Sequence, residues 1–329
     1  MLPCVVKVHW HSLWLLYICY GVIGGIGLGV GYITPVSTLV KYFPKHRGFA
    51  TGLAIMGFGF ASLIAGPLMV RLIGSVGLLM TFVVLALIYG VVMVASALYL
   101  APPKAPLNEL KDVVVTQTLK TFTANQAMKT WKFYALWWIF FINISCGIGL
   151  LALASPMAQE VVGMSVKDAA TMVGIIGLIN GLGRILWSSA SDFLGRANTY
   201  VIFFVIEVMA FYGLSGTTSS FLFQFLVFVI VSCYGGGFAC MPAYISDLFG
   251  MKSLAAIHGR ILTAWGMAGI AGPLLISFLR ETTQSYTLCL WIFAGMFVLN
   301  VVVALVLKFG AKTIQTPVTI VAAEPALKA

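Results

Sequence analysis

The chain has 329 residues, 61% of them hydrophobic and 9% charged, with a mean hydropathy of +1.04 and a net charge of +10. That composition excludes an ordinary soluble domain and indicates a polytopic membrane protein. The basic excess does not point to nucleic acid, because Lys and Arg fall between apolar runs, where they set membrane topology.

A helix needs about 20 apolar residues to cross a bilayer. Nine runs meet or approach that length, near 13–40, 51–72, 76–100, 133–157, 169–190, 199–214, 221–246, 255–279 and 286–308. They are continuously apolar and lack the alternation of a lipid-facing strand, so the expected fold class is all-α with nine transmembrane helices. The first run is too long for a cleavable signal, and no small-residue cleavage site follows it.

The first two runs carry the Gly-rich stretch Gly25 to Leu68, interrupted by a basic turn. The turn holds Lys45, His46 and Arg47. Far along the chain, Tyr234 to Leu274 repeats it: Pro35 is echoed by Pro242, Phe43 by Phe249, and the pentapeptide Ile64 to Leu68 by Ile270 to Leu274. Four features in the same order at nearly constant spacing indicate an internal duplication. The repeated pair forms spans one and two, then seven and eight, so the unit is six helices. Spans four to nine make a whole unit and spans one to three the second half of another, with three helices expected ahead of them in a complete twelve-span arrangement. The chain is therefore expected to be a fragment or a short form.

Between the third and fourth runs, Ala101 to Trp131 begins with Pro102, Pro103 and Pro106 and holds several Lys residues. The organisation expected is a partial N-terminal bundle over 1–100, a cytoplasmic linker over 101–131, a six-helix bundle over 132–309 and a disordered tail over 310–329. With the N-terminus outside, fourteen Lys and Arg lie in cytoplasmic segments and four outside, which places the C-terminus in the cytoplasm of a multi-pass cell-membrane protein.

The remaining cation, Arg184, falls within the fifth span. A buried Arg costs from about 3 to over 10 kcal/mol, so it is expected to face a wet cavity and take a negative partner, such as a substrate carboxylate. Asp192 is two turns away and too far for a direct pair, and a structural or snorkelling role is the alternative. Glu207, the acid within a span, is a proton-coupling candidate or else a bridge between helices. Aromatic and polar residues near the helix-breaking prolines, among them Tyr32, Thr34, Tyr134, Trp137, Asn143, Tyr234, Tyr244 and Trp265, are candidates to line a pocket, and Asn180 is a further substrate-binding candidate.

No paired carboxylates, Ser-His-Asp set or His cluster is evident in the spans, so neither an enzyme, a cofactor nor a metal centre is expected. His9, His11, His46 and His258 read as surface or interface residues. Six Cys residues without a CxxC pair (Cys4, Cys19, Cys146, Cys233, Cys240, Cys289) read as small core residues.

The run from Gly31 to Gly59, the segment Asn180 to Arg196 and the segment Ile257 to Leu274 resemble spans of the oxalate/formate antiporter family, relatives of the monocarboxylate transporters within the major facilitator superfamily. The resemblance extends from about Leu13 to Phe309. It implies antiport or proton-linked transport of a small carboxylate, with Arg184 at the carboxylate-binding position. Asp192, Gly195 and Arg196 match the superfamily's gating-loop motif, whose leading Gly is replaced by Ser188. Where the oxalate carrier has a second cation, a Lys, this chain has Trp265, which favours a monoanion such as lactate, pyruvate or formate over oxalate. The expected partners are that anion, protons and the lipid bilayer, with no nucleic acid, and the chain is expected to be monomeric. A receptor or scaffold that binds without transporting is the alternative reading.

Overall fold

The computed structural model describes residues 13–101 and 121–311. The N-terminal residues with His9, His11 and Cys4, most of the expected linker and most of the tail lie outside that range. Among the described residues every regular element is a helix. They are α1 (Leu13–Tyr42, with a π-helical stretch at Tyr17–Ile23), α2 (Arg47–Tyr99), the short α3 (Ala124–Ala127), α4 (Trp131–Val162), α5 (Val166–Leu194), α6 (Arg196–Gly216), α7 (Ser220–Phe249), α8 (Leu254–Ile261), α9 (Thr263–Thr283) and α10 (Tyr286–Ala311).

Eight of these helical segments are long and apolar enough to cross a membrane, with α8 and α9 counted as one. The count differs from nine because α2 contains both the second and third expected runs. At 53 residues α2 would extend about 80 Å if straight, far more than one crossing. Its backbone breaks at Gly77, where φ is +77° and ψ 169°, a conformation natural to glycine, with the second run before it and all but the first residues of the third run after it.

Side-chain caps fix several helix starts. Thr130, Ser165 and Ser219 accept hydrogen bonds from the backbone N–H of Phe133, Asp168 and Leu222 at the starts of α4, α5 and α7. Thr123 and Gln126 form a reciprocal capping box on α3, and Phe122 N–H bonds the Phe249 carbonyl at 3.0 Å, tying the incoming segment to the end of α7.

An aromatic core lies among α4, α6, α7 and α10, where Tyr200, Phe203, Phe204, Phe211, Phe293 and Phe297 are buried in a stack of ring contacts. Against this unit, α2 lies along α5 at very short range. A β-carbon at Gly48 or Gly52 would collide with Ser188, and one at Gly59 with the Gly181 backbone. The α5–α7 contact is built the same way, with Gly183 against Ser232, Gly235 against the Asn180 carbonyl and Gly236 against Trp187. These small residues remove the bulk that would hold the helices apart, and the backbone of α2 thereby comes within reach of side chains on α5.

Candidate functional site

The helix ends fix the depth of the site. Tyr32, Phe58, Arg184, Phe238 and Trp265 each stand ten or eleven residues from the end of their span that carries the basic turns. At 1.5 Å per residue that is about 15 Å inward from those helix ends. Five side chains from five spans thus share one level.

At that level Arg184 is 7% exposed. Its Nε donates to Asn180 Oδ1 at 2.9 Å, one turn back on α5, and its Nη1 donates to the Ile55 carbonyl of α2 at 3.0 Å. The second bond depends on the close approach of α2 at Gly59. The stem of Arg184 lies over Gly235 of α7, and the guanidinium carbon sits 5.2 Å from the Phe238 ring and 6.0 Å from the Phe58 ring. Both hydrogen-bond partners are neutral, and among the described residues no carboxylate pairs with it. Asp192 pairs instead with Arg196.

Around the guanidinium is an aromatic wall. Tyr32 is 3% exposed, with ring contacts to Phe58 (5.6 Å), Phe238 (5.7 Å), His258 (5.6 Å) and Trp265 (6.5 Å), and its hydroxyl is buried without a hydrogen-bond partner. Trp265 also meets Phe238 edge-on at 5.4 Å. Tyr234 is buried against Gly147, and both it and Tyr32 lie within electrostatic reach of Arg184.

Arg184, Asn180, Tyr32, Tyr234 and Trp265 are therefore brought together, and Tyr134 is not. It is 57% exposed and lines a cavity of about 680 Å³ at the basic end with Asn125, Met128, Phe133, Trp137, Arg260 and Thr263. Asn143 and Tyr244 lie inside the α4–α6–α7–α10 unit, as does Glu207, which is 1% exposed. Thr34 bonds the Val30 carbonyl of its own helix.

Sequence reasoning missed Phe58, Phe238 and the Ile55 carbonyl. It also placed His258 at the surface or an interface. His258 is instead 2% exposed with its Nε2 unpartnered, because α8 leans on α1 and α7 and closes over that face. Phe238 left a trace, since it holds the place of Tyr32 in the second copy of the repeat.

A second polar cluster stands at the basic end. The α5–α6 connection is the single residue Gly195 (φ +81°), which only glycine adopts readily, and this sharp turn lays Arg196 back on Asp192. The two Asp192 oxygens accept the backbone N–H groups of Gly48 and Phe49, each at 2.9 Å, so the carboxylate caps the start of α2, where the helix dipole favours a negative charge. Arg196 also donates to Ser191 and lies 3.5 Å from Asp247 of α7, and Asp247 pairs with Arg47 of α2 at 3.0 Å. Two cations and two anions thus tie α2 to α5, α6 and α7.

Comparison with known proteins fits this architecture. The family model of the Major Facilitator Superfamily matches residues 1–192. An uncharacterized MFS-type transporter of Escherichia coli, YhjX, is 27% identical over 80% of this chain and 65% of its own length. The oxalate:formate antiporter of Oxalobacter formigenes is 29% identical over 78% of this chain and 61% of its own length. The chain thus spans less than two thirds of these relatives. Its fold matches the crystal structure of the E. coli fucose:proton symporter with a TM-score of 0.68 at 11% identity, covering 93% of this chain and 80% of that one.

Proposed function

Because the chain belongs to the Major Facilitator Superfamily, we propose that these residues form the substrate-binding part of a secondary carrier for small carboxylates, working by alternating access. The observation that supports this most strongly is Arg184, a buried cation within a membrane-length helix whose hydrogen-bond partners are a neutral amide and a carbonyl. An uncompensated buried charge is expensive, and an anion that arrives carrying the opposite charge removes that cost. The carboxylate would take a bidentate bond from the guanidinium, with Asn180 orienting the Arg and Tyr32, Tyr234 and Trp265 closing around the ligand.

The aromatic wall selects the charge of the substrate. Trp265 and Phe238 offer a second carboxylate no cation at the level of Arg184, so a monoanion such as lactate, pyruvate or formate is favoured over oxalate. Tyr134, standing with Arg260 on the wide cavity at the basic end, belongs on this reading to the approach to the site.

The cluster of Asp192, Gly195 and Arg196 with Arg47 and Asp247 serves as the cytoplasmic gate in the orientation that the basic residues favour. Residues 1–100 and 132–309 act as the two rocking units on either side of Arg184, joined by 101–131, and Glu207 is the candidate coupling group for protons. The cell membrane is the proposed location.

Uptake of labelled lactate, pyruvate and formate into liposomes bearing the full-length protein tests the proposal. Saturable exchange by wild type, background uptake by Arg184→Gln and intermediate uptake by Arg184→Lys are expected. Equal uptake by wild type and Arg184→Gln would remove the role assigned to Arg184.

A further inference from the structure

The unit formed by α4, α6, α7 and α10 holds buried polar atoms that the carboxylate site does not use. Glu207 Oε2 has no hydrogen-bond partner among the described residues. Within electrostatic reach of that carboxyl are the thiols of Cys146 on α4 and Cys233 on α7. Three residues before Cys146 stands Asn143, and four residues after Cys233 stands Gly237, each one turn away on the same helix face. Asn143 is fully buried with neither amide atom bonded, and its side chain lies directly against Gly237.

From there the line continues toward the basic end. The Gly237 carbonyl accepts the Tyr200 hydroxyl, and the Tyr200 ring meets Tyr244 with centroids 5.4 Å apart. The Tyr244 hydroxyl is again buried and unbonded. Three residues on is Asp247, whose carboxylate is 42% exposed beside Arg47 and Arg196. On α10, Asn300 donates to the Ile139 carbonyl, one turn from Asn143, and its Oδ1 is unbonded. The remaining lining from α10 is Phe293 and Phe297, which pack on Phe204 and Phe211.

One orphaned polar group would be a packing detail. Here Tyr244, Asn143, Asn300 and Glu207 place unbonded polar atoms on four helices, in the unit that holds the buried Glu207 and leads to the exposed Asp247. Buried polar atoms in native proteins are hydrogen-bonded, to internal water where protein does not serve.

We infer that these unbonded atoms mark a hydrated seam that conducts protons between the basic end and Glu207. The inference rests on the reading of Glu207 as the coupling group and supplies its route. A proton leaves water beside Asp247 and arrives on Glu207 Oε2, and each hydroxyl or water on the way releases one proton as it takes another. Only the two ends change charge. The charged groups at the basic end are Asp247, Arg196, Arg47 and Asp192, and the titratable groups facing Glu207 are the two thiols.

Infrared spectroscopy of the liposome-embedded protein after transfer into D2O tests the route, using the carboxylic C=O band assigned by its loss in Glu207→Gln. The band should shift promptly in wild type and about tenfold or more slowly in Tyr244→Phe and in Asn143→Leu. Tyr244→Phe removes one unbonded oxygen and keeps the ring contacts, so it reports even if Asn143→Leu does not fold. Equal rates in wild type and Tyr244→Phe, no shift in wild type, or no band lost in Glu207→Gln would each overturn the inference. The coupling role is measured separately, by pH-driven uptake in Glu207→Gln. Fast exchange in wild type, slowed by Tyr244→Phe, together with undiminished uptake would keep the seam and remove the coupling.

Discussion

Tyr32 and Phe238 occupy the same place in the two copies of the repeated segment and meet ring to ring, their centroids 5.7 Å apart. Each follows a glycine and opens a twelve-residue stretch that closes on Phe43 or Phe249. The pair stands beside Arg184, whose guanidinium lies 5.2 Å from Phe238. A ligand held there is bordered by helices of both copies, and so it senses any movement of one against the other.

The Tyr32 hydroxyl is buried and unbonded, so its removal should not destabilise the fold. Tyr32→Phe is expected to leave stability unchanged or raise it by up to about 1 kcal/mol, while weakening carboxylate affinity by roughly 10- to 100-fold, as for a hydrogen bond to a charged group. Thermal unfolding together with equilibrium binding separates the two effects.

Trp265 is expected to set the number of charges the site accepts. Trp265→Lys places a second cation within the aromatic wall next to Tyr32 and Phe238. Oxalate, a weak competitor of labelled lactate in wild type, should become a strong one in the variant, and a monocarboxylate should lose its advantage.

The glycine contacts between α2 and α5 should differ sharply from glycines one turn or less away. Gly59→Ala drives a methyl group into the Gly181 backbone and is expected to cost about 1–3 kcal/mol. At Gly57 nothing lies within 4 Å, and Gly57→Ala should stabilise the helix by about 0.5–1 kcal/mol. Denaturation of the two variants side by side measures both.

Asp192→Asn removes the charge that caps α2 and leaves Arg196 without its nearest anion. Loss of 1–2 kcal/mol, about what a charged cap at a helix start supplies, should speed hydrogen exchange of the amides at Gly48 and Phe49 by about 5- to 30-fold. Exchange around Glu160 and Arg280, a separate ion pair at the far ends of α4 and α9, should not change.

Much of this arrangement was legible in the chain itself. Apolar runs of membrane length, the repeat marked by Pro35 and Pro242, and an Arg stranded within a run are local features, and they named the helices and the central cation. What stayed hidden was tertiary. Nothing around Ile55 marks its carbonyl as a partner for Arg184, because that bond exists only once Gly59 lets α2 approach α5. Tyr134 resembled Tyr32 in composition and context, yet it lies nearer the basic end and on an exposed face. His258, in a basic turn like His46, is buried only because α8 folds against α1. The runs ending at 72 and starting at 76 did place a boundary near the break at Gly77, but not the glycine or the backbone angle that makes it.

Whether Arg184 holds the substrate carboxylate is decided by equilibrium binding of labelled lactate to the purified full-length protein and to Arg184→Gln, both checked for the same thermal unfolding profile. Saturable binding by wild type that falls at least 100-fold in the variant is the expected result, the loss of a charged bidentate pair in low dielectric. Unaltered affinity in a folded Arg184→Gln would contradict it.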